Sequence, residues 1–474
     1  MSLKKILFFT LIFLTSVFGQ SSDTLTVNLD QAIRLALKNN RDIRIAKMDV
    51  EKARAAVKEA FGNALPSLDF SAGFTHFIQK PRMPFPDFNA MLNNATYGIL
   101  FDEGVIPYDP SKFMPLKFKL QSFARTNSYQ AEAKITQILF NSSVFRGIGA
   151  SKIYLSLSKE NLKRAIAKTV LDVKTAFYGV LLTEELEAIA QSRFANAKEH
   201  LRNIKAMRAQ GLLSDFEEMQ ATVQVENIRP VLLQLHNAHQ DALNGLKLVL
   251  NVDQSKPLKI IGKMVYQKET LPSESELIHK AKKDNLSLHV LKIKNRLDDE
   301  LTAVDRGGYW PTIAAFGNYN YTGTGEKWDF QTYTSSTVGV SLSINLFQGG
   351  RTLHKVQQDK IVAKQTQEQI HALADGIEMQ VKSKLNDLKR VQKQIEAMKS
   401  NMDLAQRAYQ MAEHRYQVGE GSELEVKDAD LQLNNARTNY AKAVHDYLVA
   451  KASLYNLVGR VNQVYYDIYA DYLK

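Results

Sequence analysis

From Val338 to Leu346 apolar and polar residues alternate without a fault: Val338, Val340, Leu342, Ile344 and Leu346 against Gly339, Ser341, Ser343 and Asn345. An extended strand there has one apolar face and one polar face. After Phe347-Gln348-Gly349-Gly350-Arg351 the period changes. Ile370, Leu373, Ile377, Val381, Leu385, Leu388, Val391, Ile395, Met398 and Met402 recur at the three-and-four spacing of a coiled coil. No proline falls between Arg351 and Val418, nor between Ser143 and Gln210. Each stretch therefore predicts one helix of about 67 residues, about 100 Å long at 1.5 Å per residue. A strand with a wholly apolar face, feeding so long a helix, needs a large apolar partner, and lipid is one.

The alternation recurs. Leu68, Phe70, Ala72 and Phe74 mark a strand near 66–77, Tyr129, Ala131, Ala133 and Ile135 one near 128–140, and two more are predicted near 311–321 and 335–347. A helix from Leu29 to Gly62 stops before Leu65-Pro66, because proline disfavours a helical residue ahead of it. Asp30 to Phe74 lies without a gap over Ser275 to Tyr319 at an offset of 245 residues, pairing Ile33 with Ile278, Ala36 with Ala281 and Asn40 with Asn285. A second match at an offset of 208 pairs Val173-Lys174 with Val381-Lys382, Gly211 with Gly419 and Ser214 with Ser422.

The chain thus reads as two copies of one unit, 20–251 and 274–460, around a linker at 252–273 and before an aromatic tail at 461–474. Each copy runs helix, strand, strand, long helix, turn, helix, with the helical stretches at 143–250 and 349–458. Pro230 is expected to kink the helix from Ser214 to Leu250. Four strands fill one third of a twelve-stranded barrel or half of an eight-stranded one, so one chain closes no barrel.

Composition sharpens this in three places. Lys4 and Lys5 precede an apolar run from Ile6 to Val17, and Val17-Phe18-Gly19 suits a signal peptidase, so residues 1–19 read as a cleaved secretory signal. No later run is long and apolar enough for a spanning helix, which leaves strands as the means of crossing a membrane. The chain has no cysteine, which excludes disulfides and thiolate metal sites. The formal charge of +11 comes from Lys and Arg scattered among Glu and Gln on helix faces, a solvated surface rather than a nucleic-acid footprint.

Catalytic chemistry finds no support. Gly349-Gly350-Arg351 lacks the spacing of a phosphate loop, and neither Gly-x-Ser-x-Gly nor His-Glu-x-x-His occurs. His236 and His239 are three apart on a helix but have no third ligand nearby, so they read as solvent-facing residues. No cofactor or metal is expected. Phe74, Phe77, Phe140, Tyr319, Tyr321, Trp328, Tyr333 and Phe347 lie near strand ends and suit the interfacial girdles of a membrane barrel. The segment from Ile78 to Asn127, with six of the eleven prolines, reads as a long external loop.

The tandem arrangement, the Leu65-Pro66 and Trp310-Pro311 entries into strand, the Leu-Phe-x-Gly-Gly-Arg corner at Leu346 to Arg351 and the Gly-containing turns at Gly211 and Gly419 together resemble the TolC family of outer-membrane efflux proteins. The resemblance implies a mixed α and β fold: a homotrimer whose twelve-stranded barrel sits in outer-membrane lipid and continues as a periplasmic helical tunnel. It also implies a passive exit duct that meets a periplasmic adaptor and an inner-membrane transporter, serving efflux of small molecules or, alternatively, type I protein secretion. A non-transporting adhesin on a barrel is the other class. An adhesin would project its stalk outward, whereas the signal and the helix ahead of the first strand place this one in the periplasm.

Carried over residue by residue, the family's adaptor-facing tips match Gly211, Leu212, Leu213 and Ser214 in one turn and Gly419, Gly421 and Ser422 in the other. A helix reversal also wants a left-handed glycine and an N-capping serine for its own sake. The family's ring of entrance acids falls at Glu425 and Asp428, three apart on one helix face, and three chains would set six such carboxylates around a narrow axis. Tyr416 and Glu217 match positions of closing contacts between helices. Gly421 stands where an arginine helps lock the gate in some members.

Overall fold

The computed structural model describes residues 24–474, so the proposed signal at 1–19 lies outside the described residues. The chain divides into two compact units. One comprises residues 24–56, 152–299 and 360–474 and is helical. The other comprises 57–151 and 300–359 and holds the sheet.

In the helical unit the long elements match expectation. One helix runs Ser142–Ala209 and another Arg351–Gln417, each continuing into the second unit, and their returning partners are Asp215–Leu250 and Glu423–Leu457. The helix expected from Leu29 to Gly62 is instead two, Leu29–Asn39 and Arg41–Gly62, broken at Asn40. Its counterpart breaks at the matching residue, Asn285, between Glu274–Asp284 and Leu286–Arg306. In each case the asparagine backbone is extended, and its side-chain oxygen accepts the N–H three residues on, Ile43 and Leu288 respectively. Asparagine competes with the helical backbone in this way and starts a new helix as its N-cap. The kink expected at Pro230 does not end its helix, which stays helical on both sides of an exposed proline.

Two large cores fill this unit, with a small third cluster of Ala197, Val225 and Ile228. The first gathers Ile33, Leu37, Ile43, Leu162, Ile166, Val170, Val173 and Phe177, closed by Leu246, Leu250 and the tail residues Tyr465 and Tyr469. The second gathers Leu277, Leu288, Ile377, Val381, Leu385, Leu388, Val391, Ile395, Tyr447 and Leu454. The coiled-coil positions are thus interior from Ile377 to Ile395, whereas Ile370 and Leu373 before them and Met398, Met402, Tyr409 and Tyr416 after them are only half-buried in the single chain. The linker is not plain loop: Leu258–Ile260 pairs in parallel with Leu25–Val27, a strand that three residues of sequence gave no means to expect.

In the second unit the strands Ser67–His76, Asn127–Phe140, Thr312–Gly325 and Gln331–Ser343 form one antiparallel sheet in that order. The two middle strands, one from each half of the chain, pair directly, and Ser67–His76 and Gln331–Ser343 are left as open edges. The fourth strand was expected to reach Phe347. It stops at Ser343 because its partner begins at Thr312, just after Pro311, and Ile344 to Phe347 have nothing to pair with. The third strand runs to Gly325, beyond Tyr321, because the turn to the fourth is only 326–330, tightened by Asp329 accepting from the Lys327 N–H. The segment 78–127 is also folded, with a hairpin of Met83–Pro86 and Phe118–Gln121 and a helix Phe88–Asp102.

Candidate functional site

The pairing register decides what the sheet can do. Leu68, Phe70, Ala72 and Phe74 stand opposite Ile135, Ala133, Ala131 and Tyr129, which in turn face Gly317, Tyr319, Tyr321 and Gly323. Ala315 and Ile313 then meet Val340 and Leu342. Side chains alternate across a strand, so this register gathers the apolar stripes of all four strands on one face. The other face carries Asp69, Glu132, Lys134, Asn318, Asn320, Thr337 and Ser341. Val338, Val340 and Leu342 are 87%, 67% and 68% exposed in the single chain, an apolar surface that water alone would not tolerate.

Aromatics collect at one end of the apolar face. Phe74 stacks on Trp328 at 5.7 Å, Trp328 meets Phe330, and Phe330 and Tyr321 both lie against Tyr129. This is the arrangement of an interfacial girdle. Tyr333 does not belong to it: it pairs with Thr322 and so shares the polar face. Phe347 lies beyond the last strand, and Phe77 just beyond the first.

The strand-to-helix corners use different chemistry. Gly349 and Gly350 take the left-handed φ values of +62° and +75° that only glycine adopts cheaply. At the other corner Leu139 is an extra residue between the pairs of Ile138 and Phe140, and Asn141 caps the helix by accepting from the Val144 N–H at 3.0 Å.

In the helical unit the two reversals share one design. Gly211 and Gly419 have φ of +76° and +79°. Around them Gly211 and Leu212 donate to the carbonyls of Arg208 and Met207, and Gly419 and Glu420 donate to those of Tyr416 and Arg415, so the last carbonyls of each helix are satisfied. Ser214 and Ser422 are the N-caps of the returning helices. Leu212 is exposed and Leu213 half-buried.

The turns differ in their acids. Glu217 closes a capping box, its carboxylate accepting from the Ser214 N–H at 2.7 Å. Glu425 lends only its backbone to Ser422 and sends its carboxylate to Arg415, Nη1 to Oε2 3.3 Å. Gly421 has a steric reason: a Cβ there would sit 3.1 Å from the Cβ of Arg415 and from the Tyr416 nitrogen. Asp428 is exposed one turn beyond Glu425 on the same helix.

Tyr416 lies at a crossing of helices. Its ring is 5.8 Å from that of His200 on the first long helix, and His200 Nε2 is 3.3 Å from Glu423 Oε1. Burial, with the charges of Glu423 and Glu217 behind it, raises the Tyr416 hydroxyl above its ordinary range. Two turns away Arg193 is 3.3 Å from Asp430. Sequence reasoning missed His200, Glu423, Arg193, Asp430 and Arg415, because these pairs join positions that periodicity along one helix does not relate. His236 is exposed as expected, although one ring nitrogen meets Glu187 at 2.9 Å, whereas His239 is half-buried with one ring nitrogen 3.2 Å from the Thr183 hydroxyl. Among the described residues no group of His, Asp and Glu is placed to hold a metal, and no helix is long and apolar enough to cross a membrane.

A sheet with one lipid-compatible face and one polar face, open at both edges, in a chain that also forms long helical hairpins, defines a barrel-forming membrane protein. The outer membrane efflux protein family matches residues 32–252 and 277–460, and the chain belongs to that family. Outer membrane protein TolC of Escherichia coli K12 is 21% identical over 459 residues, spanning 94% of this chain and 85% of TolC. The alkaline protease secretion protein AprF of Pseudomonas aeruginosa is 22% identical over 360 residues, 73% of this chain and 72% of AprF. The CmeC outer membrane channel of Campylobacter jejuni shares the fold with a TM-score of 0.69 at 16% identity, covering 94% of this chain and 89% of CmeC. The chain is an outer-membrane channel of the efflux class, in a family of channels rather than enzymes.

Proposed function

We propose that three copies of this chain close a twelve-stranded barrel and a helical tunnel, and that the assembly is the exit duct of a tripartite pump passing drugs or other small molecules from periplasm to exterior. The observation that carries this is the register: four strands with a common apolar face and two unpaired edges need further strands, and copies of the same chain supply them. The matching breaks at Asn40 and Asn285 support two copies of one unit, 20–251 and 274–460, within each chain.

The tips, Gly211, Leu212, Leu213 and Ser214 with Gly419, Gly421 and Ser422, are the surface for a periplasmic adaptor, through which the duct meets an inner-membrane transporter. Leu212 at 64% exposed and Val418 at 56% give that surface apolar anchors. Glu425 and Asp428 line the entrance, and Tyr416 and Glu217 belong to the contacts that hold it narrow. The similarity to AprF favours type I protein secretion as a second reading.

The test is drug susceptibility in cells that depend on this channel. Gly211→Asp and Gly419→Asp are expected to raise sensitivity with outer-membrane abundance unchanged. Unchanged resistance would remove the docking role. Protein export lost with resistance kept would favour secretion.

A further inference from the structure

The segment between His76 and Asn127 joins two neighbouring antiparallel strands, as the five-residue turn 326–330 does for the third and fourth. Instead of a turn it is a built body. Asp87 caps the helix Phe88–Asp102, Asn94 exchanges two hydrogen bonds with the Met114 backbone at 2.7 and 2.8 Å, and Tyr97, Phe113, Tyr108 and Phe101 form a chain of ring contacts. Its stems are fixed on the neighbouring turn. Lys80 and Thr126 both bond Glu326 Oε2, at 2.5 and 2.6 Å, with Arg125 at 3.7 Å from Oε1. Lys80 first, then Thr126, hold that carboxyl down to about 2.

This body hides little of its apolar surface. Ala90 is the one buried residue of its helix. Leu92, Ile99, Val105, Leu116, Phe118 and Leu120 are each 57% to 72% exposed. An ordered body that keeps so much apolar surface uncovered is an interaction site.

We infer that this surface docks against the same segment of two other copies, making a threefold cap over the external mouth of the channel. The inference rests on the trimer proposed above. Two observations select a second copy as the occupant. The segment springs from His76, the end of the edge strand Ser67–His76, which borders the neighbouring copy once the barrel closes, so the apolar body is continuous with the seam between chains. Composition of the helix is the second. The helix Phe88–Asp102, which carries Leu92 and Ile99, has no basic residue, and Arg82, Lys112 and Lys117 stand outside it. A helix lying on headgroups carries Lys and Arg beside its apolar face, whereas Leu, Ile, Met, Asn and Tyr are the composition of an interface core.

The absence of native cysteine allows a clean test. Ile99→Cys and Leu92→Cys, made singly in the full chain in outer membranes, place one thiol per copy, and thiols on touching copies can reach disulfide distance. Oxidation is expected to convert the monomer band of a denaturing non-reducing gel into cross-linked dimer and to lower single-channel conductance, with both restored by reductant. Lys327→Cys, in the short turn, is expected to stay monomeric, and cross-linking there to the same extent would mark random collision and overturn the inference. Trimers that remain uncross-linked at both Ile99→Cys and Leu92→Cys would overturn it and leave the trimer standing. Quenching of a fluorophore on the Ile99→Cys thiol by a lipid-borne quencher would then assign the surface to the membrane. A chain that sediments as a monomer before oxidation would overturn the trimer and the cap together.

Discussion

Leu37 and Val170 in the first half of the chain correspond, at offsets of 245 and 208, to Lys282 and Glu378 in the second. Leu37 and Val170 are buried in one core, at 0% and 5% exposure. Lys282 and Glu378 form an ion pair of 2.6 Å with both side chains partly in water. The cause is the tail. Tyr469 packs into the first core and its hydroxyl donates to the Leu37 carbonyl, while Tyr465 reaches Asp30 at 3.1 Å. Tyr465 and Tyr469 have no place in the second core. Where the tail covers the helices, the matching positions are apolar. Where none does, the same geometry is kept and the contact becomes a solvated charge pair, which costs little to hold.

This contrast can be broken in graded steps. The largest effect is expected from Leu37→Lys, which places an unpaired charge in a sealed core and should cost about 3–5 kcal/mol, read as a lowered denaturation midpoint of the helical signal. Adding Val170→Glu should rescue it only in a chain shortened to remove the tail, since only there does water reach the pair. Tyr469→Ala follows, at about 3 kcal/mol for the aromatic volume lost, whereas Tyr469→Phe should cost about 1 kcal/mol, one hydrogen bond.

The smallest effect belongs to the second half and shows itself only in acid. Lys282 and then Lys382 hold the Glu378 carboxyl down to about 2, below its ordinary 4.5. A depressed carboxylate pKa contributes stability that is present above the unfolded value and lost as pH falls through the folded one. Lys282→Ala with Lys382→Ala should therefore shift stability near neutral pH slightly and flatten its fall between about 4.5 and 2. An unchanged acid limb would show that the pair contributes nothing.

Much of this was legible in the sequence because period alone carries it. Alternation located the four strands, and the proline-free coiled-coil stretches located the long helices to within a residue at either end. The glycines and serines of the tips were legible for the same reason, as a left-handed φ and an N-cap are demands of single residues. What stayed hidden depends on partners. Asn40 breaks its helix although its neighbours continue the periodicity, and only its match to Asn285 hinted at a shared role. The end of the fourth strand is set by Pro311, just ahead of its partner strand, the face of Tyr333 by register, and the pairing of His200 with Glu423 by the approach of helices far apart in sequence. The tail read as aromatic, but nothing in it said which core it would close.

The central claim is that this chain, assembled, is a conduit. Purified protein reconstituted into a planar bilayer tests it most directly. Discrete channels of uniform conductance are expected, with Ser341→Asp altering the conductance and Val340→Asp preventing insertion, since in the proposed barrel the polar face lines the pore and the apolar face meets lipid. A membrane-inserted trimer with no conductance, in the native chain and in Glu425→Ala and Asp428→Ala variants alike, would contradict it.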